Sequence, residues 1–415
     1  MIIVFVGAVA IPMLAWAILP ATLYKSQGTD YLNYYEPVAR NIAEGKGIVI
    51  NGALATKFPP AFPLLLAALF RIASWLRVSE SYLLVGFSLL SAGLTALFVF
   101  LLAANVWNPR WAYFSTLVWI TYPLSVDLFV VGVAGKPLSE ILFLPLLYGT
   151  VFLFVDSITK QSYFKVRYLF IGLLLGSLML VRPIAIGLPL VFTAVLWWQF
   201  SRMSRSIRLT FIAILFLGVF AVVLPWVGTI YQDTGRLVPL STVGTSNVVD
   251  GLTSFAVRAK TYRQVVSVPD DVEALMYRIL DRRHEMDSLV DVVSVMEDEF
   301  RQEPMAVIKL LSIKALRSWY ATDSGRYERW ILLLQVVYLL PVVWGGIRAW
   351  RKNDPARQLL STVWLTTLYF WTMNTAVLPV VRYSVPSMGL LFLCIPGMAI
   401  LMQPQSQKEI EKLDI

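Results

Sequence analysis

A chain that returns repeatedly to apolar runs of membrane-crossing length has few ways to fold in water. Such runs occupy residues 2–23, 80–104, 111–126, 138–156, 168–183, 184–200, 209–230, 328–348, 358–378 and 384–402. A bilayer core of about 30 Å takes about 20 apolar residues in a helix, so each run crosses it or packs as a shorter helix of a bundle. Of the 415 residues, 58% are hydrophobic and 15% charged, where soluble domains run at roughly 45–50% and 25%. A water-soluble core cannot absorb that excess, and the chain reads as an all-α polytopic membrane protein with about ten transmembrane helices.

The net charge of +9 does not point to nucleic acid. Its cations sit in short clusters between apolar runs, where the positive-inside rule places cytoplasmic loops. The run at 61–77 decides the topology, since Pro59, Pro60 and Pro63 crowd its start and Arg71 and Arg77 interrupt its end, so that it either spans or lies flat in the interface. If it lies flat, Lys160/Lys165/Arg167, Arg202/Arg205/Arg208 and Arg348/Arg351/Lys352/Arg357 all fall on one side, with Lys408 and Lys412. That arrangement is preferred: ten spans, both termini cytoplasmic, in the cell (inner) membrane. No Lys or Arg precedes the first apolar run, which reads as a retained membrane helix rather than a cleaved signal. The single cysteine, Cys394, excludes a disulfide framework and a cysteine metal site.

This topology divides the chain into a transmembrane catalytic module at 1–230 with a first outer loop at 24–79, an outer helical segment at 231–327, C-terminal membrane helices at 328–402 and a cytoplasmic tail at 403–415. In the outer segment Val272, Leu275 and Ile279, then Leu289, Val292, Val293, Met296 and Phe300, recur at helical spacing. Pro304 opens another such helix, and Lys309, Lys314 and Arg317 beside Trp319 and Tyr320 read as its interfacial end. The single histidine, His284, lies among charges and reads as a solvated surface residue.

Five charged residues are candidates for chemistry at the outer face. Asp30 follows the first span, with Tyr31, Tyr34 and Tyr35 directly after it, and Lys57 is held in Thr56-Lys57-Phe58-Pro59-Pro60. Glu140 opens the span near 138, where a carboxylate facing the helix dipole is worth only about 0.3–1 kcal/mol. Arg182-Pro183 interrupts an apolar stretch, and Arg382-Tyr383 precedes the last span. An arginine within membrane sequence costs about 2.5–3.5 kcal/mol on insertion scales, so it faces a cavity, a partner or the interface. Each has a plainer reading as a solvated loop acid, a headgroup anchor or a snorkelling side chain. Together, two carboxylates and three cations suit the handling of a lipid phosphate.

The order of these pieces resembles the GT-C glycosyltransferases of the protein O-mannosyltransferase and aminoarabinose transferase type. Asp30-Tyr31 through Tyr35 with Ala39-Arg40-Asn41-Ile42-Ala43-Glu44-Gly45 resembles that family's first outer loop, and Lys57-Phe58-Pro59-Pro60 its Lys-Pro-Pro element. Leu138-Ser139-Glu140 resembles the second acidic motif, Leu180-Val181-Arg182-Pro183 the basic-proline turn, Leu224-Pro225-Trp226 with Gly235-Arg236-Leu237-Val238-Pro239 the exit from the seventh span, and Arg382-Tyr383-Ser384-Val385-Pro386 a late motif. Two departures stand out. The first motif holds a lone Asp30 rather than a pair of acids, and Thr56 stands where some relatives place a carboxylate near a metal.

The resemblance implies an inverting transferase that takes a sugar from a polyprenyl (undecaprenyl or dolichyl) phosphate donor and passes it to a lipid, protein or glycan acceptor on the extracytoplasmic face. It implies Asp30 as general base, Glu140 as its catalytic companion, and Lys57, Arg182 and Arg382 as donor-phosphate ligands. Tyr31, Tyr34, Tyr35 and Tyr383 are candidate substrate-binding residues, and a divalent metal is left open as cofactor with no ligand assigned. The rival from another class is a transporter or flippase of a lipid-linked sugar, which would use the same cations without forming a glycoside; a silent envelope scaffold is a third.

Overall fold

The computed structural model describes residues 1–20, 29–160, 164–201, 203–262, 268–352 and 354–401. Arg202 and the tail at 403–415, with Lys408 and Lys412, lie outside the described residues. Among the described residues the architecture is all-α apart from one two-stranded hairpin. Helix α1 (Ile2–Ile18) is followed by a π-helical turn (Tyr31–Tyr35), α2 (Glu36–Ala43), the strands β1 (Val49–Ile50) and β2 (Ala53–Leu54), and α3 (Ala61–Leu76). The hairpin turns on Asn51 and Gly52, both at positive φ (51° and 81°), which is the demand of a type I′ turn and the reason Asn-Gly serves it.

The membrane bundle continues with α4 (Glu80–Ala104), α5 (Pro109–Thr121), α6 (Pro123–Val133), α7 (Ser139–Thr159), α8 (Lys165–Val181), α9 (Leu188–Gln199) and α10 (Arg205–Thr234). The outer segment holds α11 (Val243–Tyr262), α12 (Asp270–Asp281), α13 (Leu289–Gln302) and α14 (Pro304–Arg317), and the chain returns through α15 (Glu328–Lys352), α16 (Asp354–Ala376) and α17 (Val385–Leu391), the last running on as a 3₁₀ stretch at Phe392–Leu401.

Among the described residues, α4, α7, α10 and α15 are long and apolar enough to cross a membrane, and α5 with α6 makes a fifth if the bent pair is one span. The expected span at 111–126 is broken, and proline does the breaking there as it does at the expected interruption after Arg182. The run at 111–126 bends by 58° between α5 and α6, because Pro123 has no N–H to continue the ladder and disfavours the helical region at Tyr122, which sits at ψ 119°. Pro183 separates α8 from α9 in the same way, with Arg182 extended at φ −145°, ψ 125°.

Within the bundle, small residues let backbones meet. Gly172, Gly176 and Gly218 bring α8 against α10 so closely that a Cβ on Gly172 would lie 2.0 Å from the Leu215 carbonyl oxygen, the small-xxx-small logic of helices packed in lipid. Five buried hydroxyls are satisfied within their own helices: Ser88, Thr95, Thr116, Thr150 and Ser157 each donate to the carbonyl four residues back. The segment from Val385 to Ile395 is buried among the other helices, tied there by Tyr148 Oη donating to Pro386 O (2.9 Å) and Trp107 Nε1 to Leu393 O (2.8 Å).

The outer segment has its own core, in which Val272, Leu275 and Ile279 of α12 meet Val292 and Val295 of α13 and Val307 and Leu310 of α14. Leu289, Val293 and Phe300, read with them as one stripe, are exposed. Ser288 and Asp291 start α13 with a reciprocal capping box. His284 is exposed, as read from its neighbours. Lys314 and Arg317 depart from the interfacial expectation, for both are fully buried where α14 meets the end of α16.

Candidate active site

Three helix breaks converge on one carboxylate. Glu140 lies in the first turn of α7 and is fully buried. Arg182, at the extended break after α8, places Nη1 2.6 Å from Glu140 Oε1. Arg382, from the 3₁₀ turn Val381–Tyr383, sends Nε to Oε1 and Nη2 to Oε2, the latter at 3.1 Å. One carboxylate between two permanently charged guanidiniums leaves the cluster net positive. Arg182 and Arg382 keep 11% and 28% of their side chains accessible, so the surplus charge faces outward rather than being sealed in.

The break that aims Arg182 is splinted from across the bundle. Tyr369 of α16 accepts a hydrogen bond from Gly187 N (2.8 Å) and donates one to Ile184 O (2.5 Å), so one hydroxyl satisfies two backbone groups released by Pro183. Gly187 must be glycine here, since a Cβ would lie 2.4 Å from the Tyr369 ring.

Aromatic rings wall the cluster. Tyr383 lies under Arg182 at 5.0 Å and Arg382 at 5.9 Å, and Phe143 is 5.9 Å from Arg182. Tyr35 is hydrogen-bonded to Ser139 and lies within electrostatic reach of Arg182, Glu140 and Asp30; burial raises its phenol above its ordinary range, so it stays protonated. Asp30 is half-buried and within electrostatic reach of Arg382. Asp323, on the loop after α14, is within reach of Tyr383; nothing in its sequence surroundings singles it out.

The remaining candidates are placed differently. Tyr31 and Tyr34 are buried in an aromatic cluster with Tyr35, Phe62 and Phe70, against which Phe58 packs, and Tyr34 Oη accepts from Phe58 N at 3.2 Å. They fix the loop that carries Lys57. Lys57 itself is exposed, with its ammonium 5.3 Å from the Phe58 ring centre. Thr56, beside it, is bonded through its carbonyl to Thr242 N (3.0 Å), which fastens the first outer loop to the start of the outer segment.

A divalent ion does not fit these residues. Among the described residues no three His, Cys, Asp or Glu side chains gather to hold one, and both oxygens of Glu140 are engaged by guanidinium groups.

The cluster is buried at the breaks of a helix bundle, near the loop that carries Lys57, and the bundle has a fold shared with solved structures. Solved structures with this fold include those of an oligosaccharyltransferase of Archaeoglobus fulgidus, named AglB in its complex with an inhibitory peptide and a dolichol-phosphate. The apo form superposes with a TM-score of 0.58 at 13% identity, over 99% of this chain and 52% of that one. The complex with an inhibitory peptide and a dolichol-phosphate gives 0.56 at 13% identity, over 100% and 52%; the form with Zn and sulfate gives 0.56 at 13% identity, over 96% and 49%. The chain thus spans about half the length of the structures it matches. No family model matches the sequence, and no curated protein sequence does.

Proposed function

We propose that this protein is a membrane glycosyltransferase that moves a sugar from a polyprenyl-phosphate donor to an acceptor at the extracytoplasmic face. The Glu140–Arg182–Arg382 cluster carries this reading, because it offers surplus positive charge, already oriented, at the outer end of a GT-C bundle. AglB supports the substrate classes, since it binds a dolichol-phosphate and, in a tethered form, an acceptor peptide containing the NVT sequon. The ten-span topology with cytoplasmic termini and the division at 230, 327 and 402 belong to the same proposal.

In the reaction the acceptor oxygen attacks the anomeric carbon from the face opposite the phosphate. The bond from that carbon to the phosphate oxygen breaks, and the phosphate leaves with the electron pair. Asp30 takes the acceptor proton, a role worth about 10²–10⁴ in rate. Charge grows on the leaving phosphate as the bond breaks, so Arg182 and Arg382, with Lys57 reaching from the loop, stabilise the transition state more than the ground state. Glu140 orients both guanidiniums. Inversion follows from the single displacement. No step of this reaction is routed through a metal.

The test is reconstitution in nanodiscs with a panel of labelled polyprenyl-phosphate sugars and a membrane acceptor extract, comparing wild type with Asp30→Asn. Release of sugar by wild type, with the variant silent but still binding donor, is the expected result. Normal turnover by Asp30→Asn would remove the base assignment; donor bound but never cleaved by wild type would make the protein a transporter of lipid-linked sugar.

A further inference from the structure

We infer that the outer segment positions Arg382 through a buried polar clamp at the α14–α15 turn, an assignment that rests on Arg382 being a donor-phosphate ligand. The turn Arg382 stands on is held from both sides by backbone of the segment after α14. Val381 N donates to Ala321 O (2.8 Å), and Ser384 Oγ donates to Ser318 O (2.7 Å) while accepting from Asn374 Nδ2 (3.1 Å).

Residues 318–322 are in turn fixed from below. Arg317 Nη2 and Glu328 Oε1 pair at 2.7 Å with side chains 0% and 1% exposed, and the same Glu328 oxygen accepts from Thr322 N at 3.0 Å. Gln335 Nε2 donates to Trp319 O (2.9 Å) and Lys314 Nζ to Ala376 O (3.1 Å). A buried ion pair is an expensive way to gain stability, since apolar residues of similar volume often do as well or better. What this one supplies is a fixed place for the turn. Because α14 also contributes Val307, Leu310 and Ile313 to the core of the outer segment, a shift of that segment is passed directly to the residues flanking Arg382. The outer segment is thereby coupled to the donor-phosphate site.

The experiment is a double-mutant cycle in nanodiscs. The pair is replaced together, Arg317→Met with Glu328→Leu, so that no buried charge is orphaned, in wild-type and in Arg382→Ala backgrounds. Sugar release, thermal stability and amide exchange at 381–384 are measured. In the wild-type background the replacement is expected to lower release by about 10²-fold, the scale of an ångström-sized misplacement, with faster exchange at 381–384. In the Arg382→Ala background it should change release by no more than about 2-fold, the usual limit of additivity. Equal losses in both backgrounds would reduce the clamp to general support and overturn the coupling. If the pair replacement fails to fold, Ser384→Ala enters the same cycle with the same expectations. If wild type releases no sugar from any donor, the transferase assignment fails separately, and unchanged amide exchange at 381–384 in the pair variant would overturn the clamp on its own.

Discussion

Glu140 is surrounded by more positive charge than it can neutralise, and that imbalance can be measured. Glu140→Gln keeps the shape of the side chain but leaves both guanidiniums without their shared counter-charge. The expected result is a drop in sugar release of about 10²–10³-fold, the scale of losing one preorganised electrostatic partner, together with a lowered melting temperature, because breaking a buried pair by removing one member is destabilising. Ser139→Ala, beside it, removes a hydrogen bond to the buried Tyr35 but orphans no charge, so it should lower the melting temperature less than Glu140→Gln does. The cost of arginine within membrane sequence marked Arg182 and Arg382 as residues needing a partner. The partner itself was not legible, since Arg382 and Glu140 are 242 positions apart and only the tertiary fold pairs them. Lys314 and Arg317 misled for the same reason, as a cation near tryptophans looks like a headgroup anchor until its far-off carbonyl or carboxylate is seen. Lys314 also makes a pH prediction. Burial pushes its ammonium down to about 7, below the roughly 10.4 of an unfolded chain. Between those values the unfolded state holds the extra proton, so this contribution to stability rises with pH from about 7 towards 10 and is lowest, and flat, below 7. Thermal scans across that range should show the slope, and Lys314→Met should flatten it.

At the scale of elements, helix existence was legible and helix integrity was not. The run at 80–104 is one helix as read, and 168–183 and 184–200 are two helices parted at Arg182-Pro183 as read, whereas 111–126 is broken at Pro123, and hydropathy is blind to a break that leaves apolar content unchanged. The α8–α10 contact was also hidden. Gly172 and Gly176 form a Gly-x-x-x-Gly pair in sequence, but their partner Gly218 is remote along the chain and meets them only in the fold. Gly172→Val would force two backbones apart, where overpacking costs typically 1–3 kcal/mol and here meets a carbonyl rather than a side chain. Reduced yield and a lowered melting temperature in detergent are expected, while Gly86→Ala on α4, where a Cβ would have open space, should behave as wild type.

For the whole molecule, the open quantity is sidedness, and the chain carries a convenient tool for it. Its single cysteine, Cys394, is buried, so the wild type should resist membrane-impermeant thiol reagents. Ser288→Cys at the exposed start of α13 and Ser206→Cys at the exposed start of α10 lie on opposite sides in the proposed topology. Labelling of the first in intact cells, and of the second only after permeabilisation, is the expected pattern; the reverse would invert the positive-inside assignment and place the cluster in the cytoplasm.

The splint supplied by Tyr369 has a consequence for biogenesis. The backbone groups it satisfies at Ile184 and Gly187 are synthesised more than 180 residues before it, which at 5–20 residues per second is roughly ten to forty seconds of translation. Throughout that interval the nascent α8–α9 break must be kept wet, or held by the insertion machinery, because lipid offers it no partner. The break that carries Arg182 therefore begins as a hydrated notch in a half-built bundle, and α16, arriving late, is the helix that closes it.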